Sequence, residues 1–488
     1  MDTIKGTKAA PVDLGDVLVL GLGKSGRAVA LYCLDLLGTR AKSLTIAAGE
    51  MSDEAFAFAR SCEDRGAKVF FEQYTFDGSY DLCIASPGIS QFSRFYENAA
   101  KVSREVISEV EFAWRESPAE SSWIAVTGTN GKTTTTTLIT HIFQAAGARV
   151  AAVGNIGNTA ITAVGAHAAD VYVVEVSSFQ LASMSQFAPQ VAVLLNITPD
   201  HLYWHMTFDA YVEAKKNVYR NLGQTQGTLV IDATCPVTRQ CLEQLAECQD
   251  GGFDVVALGG ASGIEGVAAS EPLFAGKPGM TDAGAFRRQG RLVCRIAGQD
   301  HDLADAGELN IKGEHNVSNA LAAAAAALAF GLSDQAVAEG LRTFRPLEHR
   351  LEPCGTINGV EFFNDSKATN VDATLKALSA FKPGEPIFLL GGHDKGTDLA
   401  ELVQECEKIC KAVVCFGAAA ERFMAAFATS GLTHVQEEHL EDALDRAILM
   451  AEPGDCVVLS PACASFDEFD SFEHRGKVFK GLVSFRCN

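Results

Sequence analysis

Three stretches of the chain repeat one pattern, in which a short apolar run leads into a glycine-rich turn and then into a segment of helical periodicity. The apolar runs are residues 17–20, 123–127 and 386–390. Further apolar runs of strand length, such as DVYVVEVS, VAVLLNIT and AVVCFG, follow between them. Strand-like runs that alternate with helical segments are typical of parallel βαβ units. The pattern therefore predicts an α/β fold with mostly parallel sheets.

The same pattern predicts three domains, because 488 residues exceed what one hydrophobic core usually serves. The polar segment 116–122 is interpreted as the first linker. The second domain runs to an alanine-rich helix near 319–330 and a further short helix that ends near Phe344. Within 251–306, a glycine-rich stretch, only DVVALGG and RLVCRIAG are candidate strands. The predicted domains are a Rossmann-like N-terminal domain (1–118), a central P-loop ATPase domain with a mostly parallel sheet (119–345) and a Rossmann-like C-terminal domain (346–488).

Composition narrows the class of partner. Apolar residues make up 47% of the chain and charged residues 21%, as in ordinary globular enzymes. The net charge of −21 repels nucleic acids and anionic lipids, and no basic patch offsets it. The longest small-apolar run, 320–330, is too short for a membrane span. The fourteen cysteines include no CxxC pair. We expect a cytoplasmic protein with small-molecule partners, without nucleic acid or membrane insertion.

The strongest motif is IAVTGTNGKTT at residues 124–134, where an apolar strand enters a glycine-rich turn that opens a helix. Such a turn points its N–H groups inward, and the helix N-terminus adds partial positive charge, so the motif predicts phosphate binding. Lys132 would reach the outer phosphates, and the Thr133 hydroxyl could ligate Mg²⁺. Val126 stands where a standard P-loop has its first glycine, which makes this a shortened variant. A ligand-free turn capped by threonines is the alternative.

Two polar side chains follow apolar strands downstream of this loop. Glu175 ends the run DVYVVE, where a buried carboxylate has few partners except a cation. His201, in NITPDH, stands after the run VAVLLNI, and open α/β sheets bind ligands at the carboxyl ends of their strands. A lone histidine is more often a core or surface residue, so His201 depends on its neighbours for a role.

The first domain carries GLGKSG at residues 21–26, a GxGxxG pattern typical of dinucleotide binding. The acidic residue expected after the next strand, to hold a ribose, is missing, because that strand ends in Ala47, Ala48 and Gly49. The turn can still hold a diphosphate. Ser86 and Gly88, in SPG, form either a second wall of this site or a simple turn.

Three polar loops follow strand-like runs in the third domain. They are NDSKATN at 364–370, GGHDK at 391–395 and SPACASF at 460–466. Each stands at the carboxyl end of a predicted strand, so three such loops in one small α/β domain predict a substrate crevice.

Together these motifs resemble the Mur ligases of peptidoglycan synthesis over nearly the whole chain. GLGKSG, GTNGKT, EVSSFQ, NITPDH, GEHN, HR, NDSKATN, GGHDK and SPACASFD occur in the family's order. NDSKATN and SPACAS are the most specific of them, since sister ligases differ there. The resemblance implies ATP-dependent addition of D-glutamate to UDP-N-acetylmuramoyl-L-alanine through an acyl phosphate, by an enzyme that we expect to be a monomer.

The resemblance also implies roles for individual residues. Lys132, Glu175, His201 and Lys215 would be catalytic, with Lys215 carbamylated, and Thr133, Glu175, His201 and Lys215 would hold two Mg²⁺ ions. ATP would contact Gly128, Thr129, Asn130, Gly131, Lys132, Thr133, Thr134, Asn319, Arg350 and Asp365. The UDP-sugar substrate would contact Gly23, Lys24, Ser25, Ser86, Gly88, Asn155, Ser177 and Gln180. D-Glutamate would contact Lys367, Thr369, Lys395, Ser465 and Phe472.

One departure and several alternatives accompany this resemblance. The family usually shows an Asp-Thr-Arg-like run where this chain has Ala47-Ala48-Gly49, so the grip on the uridine differs here. A sister Mur ligase or a folylpolyglutamate synthase-like ligase is the nearest alternative. An NAD-dependent dehydrogenase and a non-enzymatic P-loop regulator are alternatives from other classes.

Overall fold

A computed structural model describes residues 2–247, 252–259, 283–311, 313–346, 348–394 and 396–487. The chain forms two compact units, one of Met1–Glu308 with Ser318–Arg342 and the other of Leu309–Val317 with Thr343–Asn488. Three mixed or parallel sheets with helices between their strands confirm the predicted α/β class. The first two predicted domains have separate sheets inside the first unit, and the domain boundaries stay a prediction.

The first sheet is parallel throughout, in the order β3-β2-β1-β4-β5. Its strands are β1 (Gly15–Leu20), β2 (Ala41–Ala48), β3 (Lys68–Phe71), β4 (Leu82–Ala85) and β5 (Val106–Ser108). Its helices are α1 (Lys24–Asp35), α2 (Asp53–Glu63), α3 (Arg94–Val102) and α4 (Glu109–Glu116). This is the strand order of the doubly wound nucleotide-binding fold. The reversal of direction lies between β1 and β4, which are followed by GLGKSG and SPG.

The central sheet has the order β14-β13-β12-β11-β10-β9-β6-β8-β7. Its strands are β6 (Ser122–Thr127), β7 (Val150–Gly154), β8 (Val171–Glu175), β9 (Val191–Leu194), β10 (Thr228–Asp232), β11 (Asp254–Leu258), β12 (Gly284–Arg288), β13 (Arg291–Ile296) and β14 (Gln299–Asp305). Its helices are α5 (Lys132–Ala145), α6 (Ala160–Gly165), α7 (Ser178–Ala182), α8 (Leu202–His205), α9 (Phe208–Lys216), α10 (Pro236–Glu247), α11 (Glu314–Ala329) and α12 (Asp334–Thr343). Among the described residues of this sheet, β12–β13 and β13–β14 are the pairs that run antiparallel.

Two details of this region differ from the sequence prediction. The stretch 251–306 contains β12 and β14 besides the two expected strands, β11 and β13. The rest of that stretch, 260–282, lies outside the described residues. The segment 116–122 connects two sheets within one unit, and it is held inside the protein, because the buried Ser117 hydroxyl accepts a hydrogen bond from the Trp123 indole at 3.1 Å. It is therefore a packed connection.

The third sheet lies in the second unit and has the order β15-β16-β20-β17-β18-β19. Its strands are β15 (Glu352–Ile357), β16 (Val360–Asn364), β17 (Pro386–Gly391), β18 (Ala412–Phe416), β19 (Thr433–Gln436) and β20 (Cys456–Ala462). Its helices are α13 (Val371–Leu378), α14 (Ala400–Ile409), α15 (Ala420–Phe427), α16 (Leu440–Met450) and α17 (Phe472–Cys487). Only β15 runs antiparallel to its neighbour, so the polar loops after β16, β17 and β20 leave the sheet at one edge.

Candidate active site

The glycine-rich turn after β6 has the backbone conformation that phosphate binding needs. Gly128 has φ of +153° and Gly131 has φ of +83°, both in the region that favours glycine. Gly131 is also the N-cap of α5, and no side chain caps this helix. A Cβ on Gly131 would come within 2.4 Å of the Asn319 side-chain oxygen, so Asn319 lies directly against the turn. The first N–H groups of a helix have no acceptor within the helix, so the start of α5 is suited to binding an anion.

Two lysines meet at the start of this turn. The Lys132 ammonium donates hydrogen bonds to the carbonyl oxygens of Gly128 and Thr129, at 3.0 and 2.8 Å. Lys215, from α9, donates to the same Gly128 oxygen at 2.8 Å, and its Nζ lies 4.7 Å from the centre of the Tyr211 ring. Burial, followed by the charge of Lys132, lowers the pKa of Lys215 well below its usual value. The Lys215 amine therefore loses its proton more easily than an exposed lysine would.

Two residues that the sequence did not single out hold the turn in place. The Asn196 side chain accepts a hydrogen bond from the Asn130 N–H at 2.9 Å and donates one to the Asn130 carbonyl at 3.1 Å. The Tyr211 hydroxyl lies 2.9 Å from the Thr129 hydroxyl. Asn196 belongs to NITPDH, and its position directly after an apolar strand was the available signal. Tyr211 lies one helical turn before Lys215, on the same face of α9.

Glu175, at the end of β8, is a buried carboxylate of which one oxygen accepts a hydrogen bond. Its Oε1 accepts a hydrogen bond from the Asn155 side chain at 2.8 Å. Its Oε2 is buried without a hydrogen-bond partner among the described residues. A carboxylate in this state is costly unless a cation balances it, so the donor set fits a divalent ion. Asn155, which was predicted to contact substrate, here supports this carboxylate.

His201 precedes α8 with a left-handed backbone, at φ of +53°. Its ring lies 4.8 Å from the ring of Phe179, and its Nε2 lies 3.4 Å from a carboxylate oxygen of Asp200. Behind it, His205 is fully buried, and its Nε2 lies 2.9 Å from the Ser178 hydroxyl. Burial, followed by the charges of Lys215 and His201, lowers the pKa of His205 to about 4. His205 is therefore a neutral structural partner of the helix that follows Glu175.

The two glycine-bearing loops of the first sheet lie side by side. The Ser86 hydroxyl lies 3.4 Å from the Gly21 carbonyl oxygen, and it donates to that oxygen. Gly23 is the N-cap of α1, so Lys24 and Ser25 begin this helix. The Lys24 ammonium donates to the carbonyl oxygen of Gly157 at 2.5 Å, which links α1 to the loop of Asn155. SPG, which includes Gly88, thus lies beside the glycine-rich turn, and its contact with substrate stays a prediction.

Ser177 and Gln180 were predicted to contact the UDP-sugar substrate, and their side chains bond to each other. The Ser177 hydroxyl accepts from the Gln180 N–H, and the Ser177 N–H donates to the Gln180 side chain at 2.9 Å. This reciprocal pair is a capping box at the start of α7. It explains the serine and the glutamine structurally, and their contact with substrate stays a prediction.

The three predicted loops of the second unit come together. Ser460, the first residue of SPACAS, donates a hydrogen bond to the Asp365 carboxylate at 2.7 Å. The backbones of His393 and Ala464 bond to each other at 2.8 and 3.1 Å. Arg475, which the sequence did not single out, is fully buried and donates to the backbone oxygens of Ser366, Cys463 and Ala464. A single guanidinium therefore fastens two of the loops.

Several predicted contacts of D-glutamate and ATP lie around this junction. The Lys367 ammonium is 5.3 Å from the centre of the Phe472 ring, Thr369 is half-buried in the same loop, and Ser465 is buried. Asp365 is buried, which raises the pKa of its carboxyl to about 7 although the Ser460 hydrogen bond and then the Arg350 charge lower it. Lys395 lies outside the described residues.

Comparison with known proteins shows which family this chain belongs to. Residues 126–327 match the Mur ligase middle domain, and residues 349–463 match the Mur ligase glutamate ligase domain. A UDP-N-acetylmuramoylalanine--D-glutamate ligase of Salinibacter ruber is 36% identical over 476 residues, covering 95% of this chain and 96% of the relative. A protein of the same name from Geobacillus kaustophilus is 37% identical over 96% of this chain and 97% of its own length. The chain belongs to the Mur ligase family.

The family resemblance that the motifs indicated is thus confirmed. Solved structures agree with the fold of this Mur ligase. A pseudomurein peptide ligase type C from Methanothermus fervidus superposes with a TM-score of 0.56 at 18% identity, covering 96% of this chain and 99% of its own. MurF from Acinetobacter baumannii gives a TM-score of 0.54 at 19% identity, over 84% and 91% of the two chains. In the described part of this Mur ligase, every helix is too short or too polar to cross a membrane.

Proposed function

We propose that this Mur ligase uses ATP to join D-glutamate to UDP-N-acetylmuramoyl-L-alanine, a cytoplasmic step of peptidoglycan synthesis. The observation that carries the proposal is full-length similarity, at 36 and 37% identity, to relatives named for that reaction. It is joined by a phosphate loop whose lysine and helix N-terminus suit a nucleotide triphosphate. An NAD-dependent dehydrogenase is disfavoured because β2 ends in Ala47 and Ala48 and is followed by Gly49, so no acid stands there to hold a ribose.

The reaction needs an activated carboxylate, because a carboxylate itself is a poor electrophile. The γ-phosphoryl group of ATP passes to the L-alanyl carboxylate, and the amine of D-glutamate attacks the resulting acyl phosphate with release of phosphate. Lys132 offsets the negative charge that gathers where the two anions meet. Its flexible stem can turn from the loop carbonyls that it now contacts to the phosphates of a bound nucleotide.

Mg²⁺ would supply positive charge that neutralises the phosphates during transfer. Thr133 and Glu175 would hold one ion, and His201 with a modified Lys215 would hold a second. The partnerless Oε2 of Glu175 supports the first assignment.

The buried setting of Lys215 supports a carbamate on this residue. A neutral amine adds to CO₂, forming an N–C bond and releasing one proton, and the product is an anion that can ligate metal. Burial and the nearby Lys132 favour the neutral amine, whereas Asp200 and Glu175 oppose them. An unmodified lysine would bring a further cation beside Lys132, or an uncharged amine with no role toward phosphate.

The remaining assignments divide between the two units. In the first unit, Gly23, Lys24, Ser25, Ser86, Gly88, Asn155, Ser177 and Gln180 would serve the UDP-sugar substrate. In the second unit, Lys367, Thr369, Lys395, Ser465 and Phe472 would serve D-glutamate, while Arg350 and Asp365 would serve ATP together with Asn319 of the first. The fixed loop junction around Asp365, Ser460 and Arg475 supports a substrate site there. We propose that the enzyme acts as a monomer.

A phosphate-release assay tests the function. The purified protein receives ATP, Mg²⁺, UDP-N-acetylmuramoyl-L-alanine and one amino acid from a panel of D-glutamate, L-glutamate, L-alanine, L-lysine and diaminopimelate. We expect D-glutamate alone to support turnover, with one phosphate released per amide formed. Turnover with another amino acid instead would assign a sister ligase, and nucleotide binding without amino-acid-dependent turnover would contradict a ligase.

A further inference from the structure

Glu109 is a buried carboxylate that the chemistry above does not use. It is the first residue of α4, directly after the last strand of the first sheet. Its Oε1 accepts a hydrogen bond from the Ile161 N–H at 2.7 Å, and its Oε2 is buried without a hydrogen-bond partner in the part of the chain that the structure describes. Burial of a carboxylate costs free energy. The contacts that Glu109 makes should therefore contribute enough to offset this cost.

Glu109 holds the start of α6, and α6 follows the loop that carries Asn155. In that loop, of residues 155–159, the Asn155 N–H donates to the Glu175 carbonyl at 2.9 Å, and the Asn155 side chain donates to the Glu175 carboxylate at 2.8 Å. A chain of contacts therefore leads from Glu109 through α6 and the Asn155 loop to the carboxylate assigned to Mg²⁺.

The first sheet grips this loop at a second point. The Lys24 ammonium donates to the carbonyl oxygen of Gly157, inside the Asn155 loop. Burial raises the pKa of Glu109, whereas the N–H groups of Ile161 and Ala160 and the charge of Lys24 lower it. Lys24 from α1 therefore holds the Asn155 loop itself, and Glu109 from α4 holds the start of the helix that follows this loop.

We propose that Glu109 is a positioning residue that fixes the Asn155 loop and, through Asn155, aims the Glu175 carboxylate. This inference rests on the proposed function, because it takes Glu175 as a magnesium ligand. Partners of metal-ligating carboxylates typically contribute 10- to 100-fold to metal affinity or activity. Since Glu109 acts through Asn155, we expect an effect near the lower end, roughly 10-fold.

Kinetics on matched variants test this role. Glu109→Ala should raise the Mg²⁺ concentration for half-maximal turnover and the KM for UDP-N-acetylmuramoyl-L-alanine by roughly 10-fold, while the KM for D-glutamate stays unchanged. Glu109→Gln should keep wild-type values, because its amide oxygen can still accept from Ile161. Glu111→Gln is the control: Glu111 is also buried on α4, but it contacts Arg115 and Ser185.

Hydrogen exchange gives a readout that needs no turnover. In the protein without substrates, Glu109→Ala should speed amide exchange across residues 154–162, and Glu109→Gln and Glu111→Gln should not. Glu109→Asp, which withdraws the carboxylate by one methylene, replaces the alanine variant if that variant does not fold. Two results would overturn the proposal. One is a wild-type rate of amide exchange in a folded Glu109→Ala protein. The other is an equal rise of the half-maximal Mg²⁺ concentration, the KM for UDP-N-acetylmuramoyl-L-alanine and the KM for D-glutamate. If the wild-type enzyme lacks D-glutamate-dependent turnover, the proposed function fails, and the exchange data still decide whether Glu109 holds the loop.

Discussion

Lys132 and Lys215 donate hydrogen bonds to one and the same atom, the carbonyl oxygen of Gly128, at 3.0 and 2.8 Å. Two ammonium groups that share an acceptor repel each other, and the more buried one yields its proton more easily. Lys215 is the buried partner, on α9, and Lys132 opens α5 and lies partly exposed. The Gly128 carbonyl therefore lies between a partly exposed lysine of the phosphate loop and a buried lysine of α9 whose pKa is lowered.

The lowered pKa of Lys215 leads to a prediction about its role. Lys215→Ala should lower turnover by about 100-fold, and a short-chain carboxylic acid added to the assay should restore part of it by supplying the missing carboxylate. Lys216→Ala is the matched control, since Lys216 is the next residue on α9 and pairs with Glu213 at 2.8 Å. Phosphate release measured with and without the acid checks both. Undiminished turnover in Lys215→Ala would exclude the carbamate.

Lys132 should act in the reaction more than in folding. Lys132→Ala removes the cation that we propose faces the transferred phosphoryl group, so we expect turnover to fall about 100- to 1,000-fold. The melting temperature should change little, because the hydrogen bonds of Lys132 go to carbonyls of its own loop. Phosphate release and thermal unfolding measured on one preparation separate the two effects. A variant that loses stability and activity together would make Lys132 a structural residue.

The sequence was informative where backbone chemistry leaves a local trace. Gly128 and Gly131 have positive φ, a conformation that the glycines in the sequence predicted. The loops after β16, β17 and β20 lie together because parallel strands end at the same edge of a sheet. The alanine-rich segment is a buried helix, α11. These features depend on neighbours in sequence or on the rule that parallel strands end at one edge.

Residues that act across the fold left no such trace. Asn196 and Tyr211 support the phosphate loop from 66 and 82 residues away, and Arg475 joins loops whose strands are far apart in the chain. The strands β12 and β14 carry charged residues, so neither alternation nor an apolar run marked them. Ser177 and Gln180 were predicted from the sequence as substrate contacts. In the structure they also form the cap of a helix, which is a structural role that the prediction did not include.

The glycine at position 26 should be required for packing. A Cβ there would lie 1.9 Å from the Gly21 carbonyl oxygen, closer than atoms can approach, so α1 would have to move away from the turn after β1. We expect Gly26→Ala to destabilise the protein by about 1 to 3 kcal/mol and to raise the KM for the UDP-sugar substrate. Gly49→Ala is the control, because a Cβ at position 49, after β2, meets nothing within 4 Å. Equal unfolding midpoints for the two variants would contradict this account.

Glu109 should make stability depend on pH in a direction opposite to that of a salt-bridged acid. Burial raises the pKa of Glu109 from its ordinary 4.5 to about 7. Between these values the folded protein keeps a proton that the unfolded chain has released, so the free energy of unfolding falls as pH rises through this window. Glutamine cannot ionise and can still accept from the Ile161 N–H. The stability of Glu109→Gln relative to wild type should therefore increase from pH 4.5 to pH 7.5, by up to about 3 kcal/mol. Urea unfolding midpoints of both proteins across this range measure the difference. A gap between the two midpoints that stays constant with pH would show that folding does not shift the pKa of Glu109, and a gap that narrows as pH rises would show that folding lowers it.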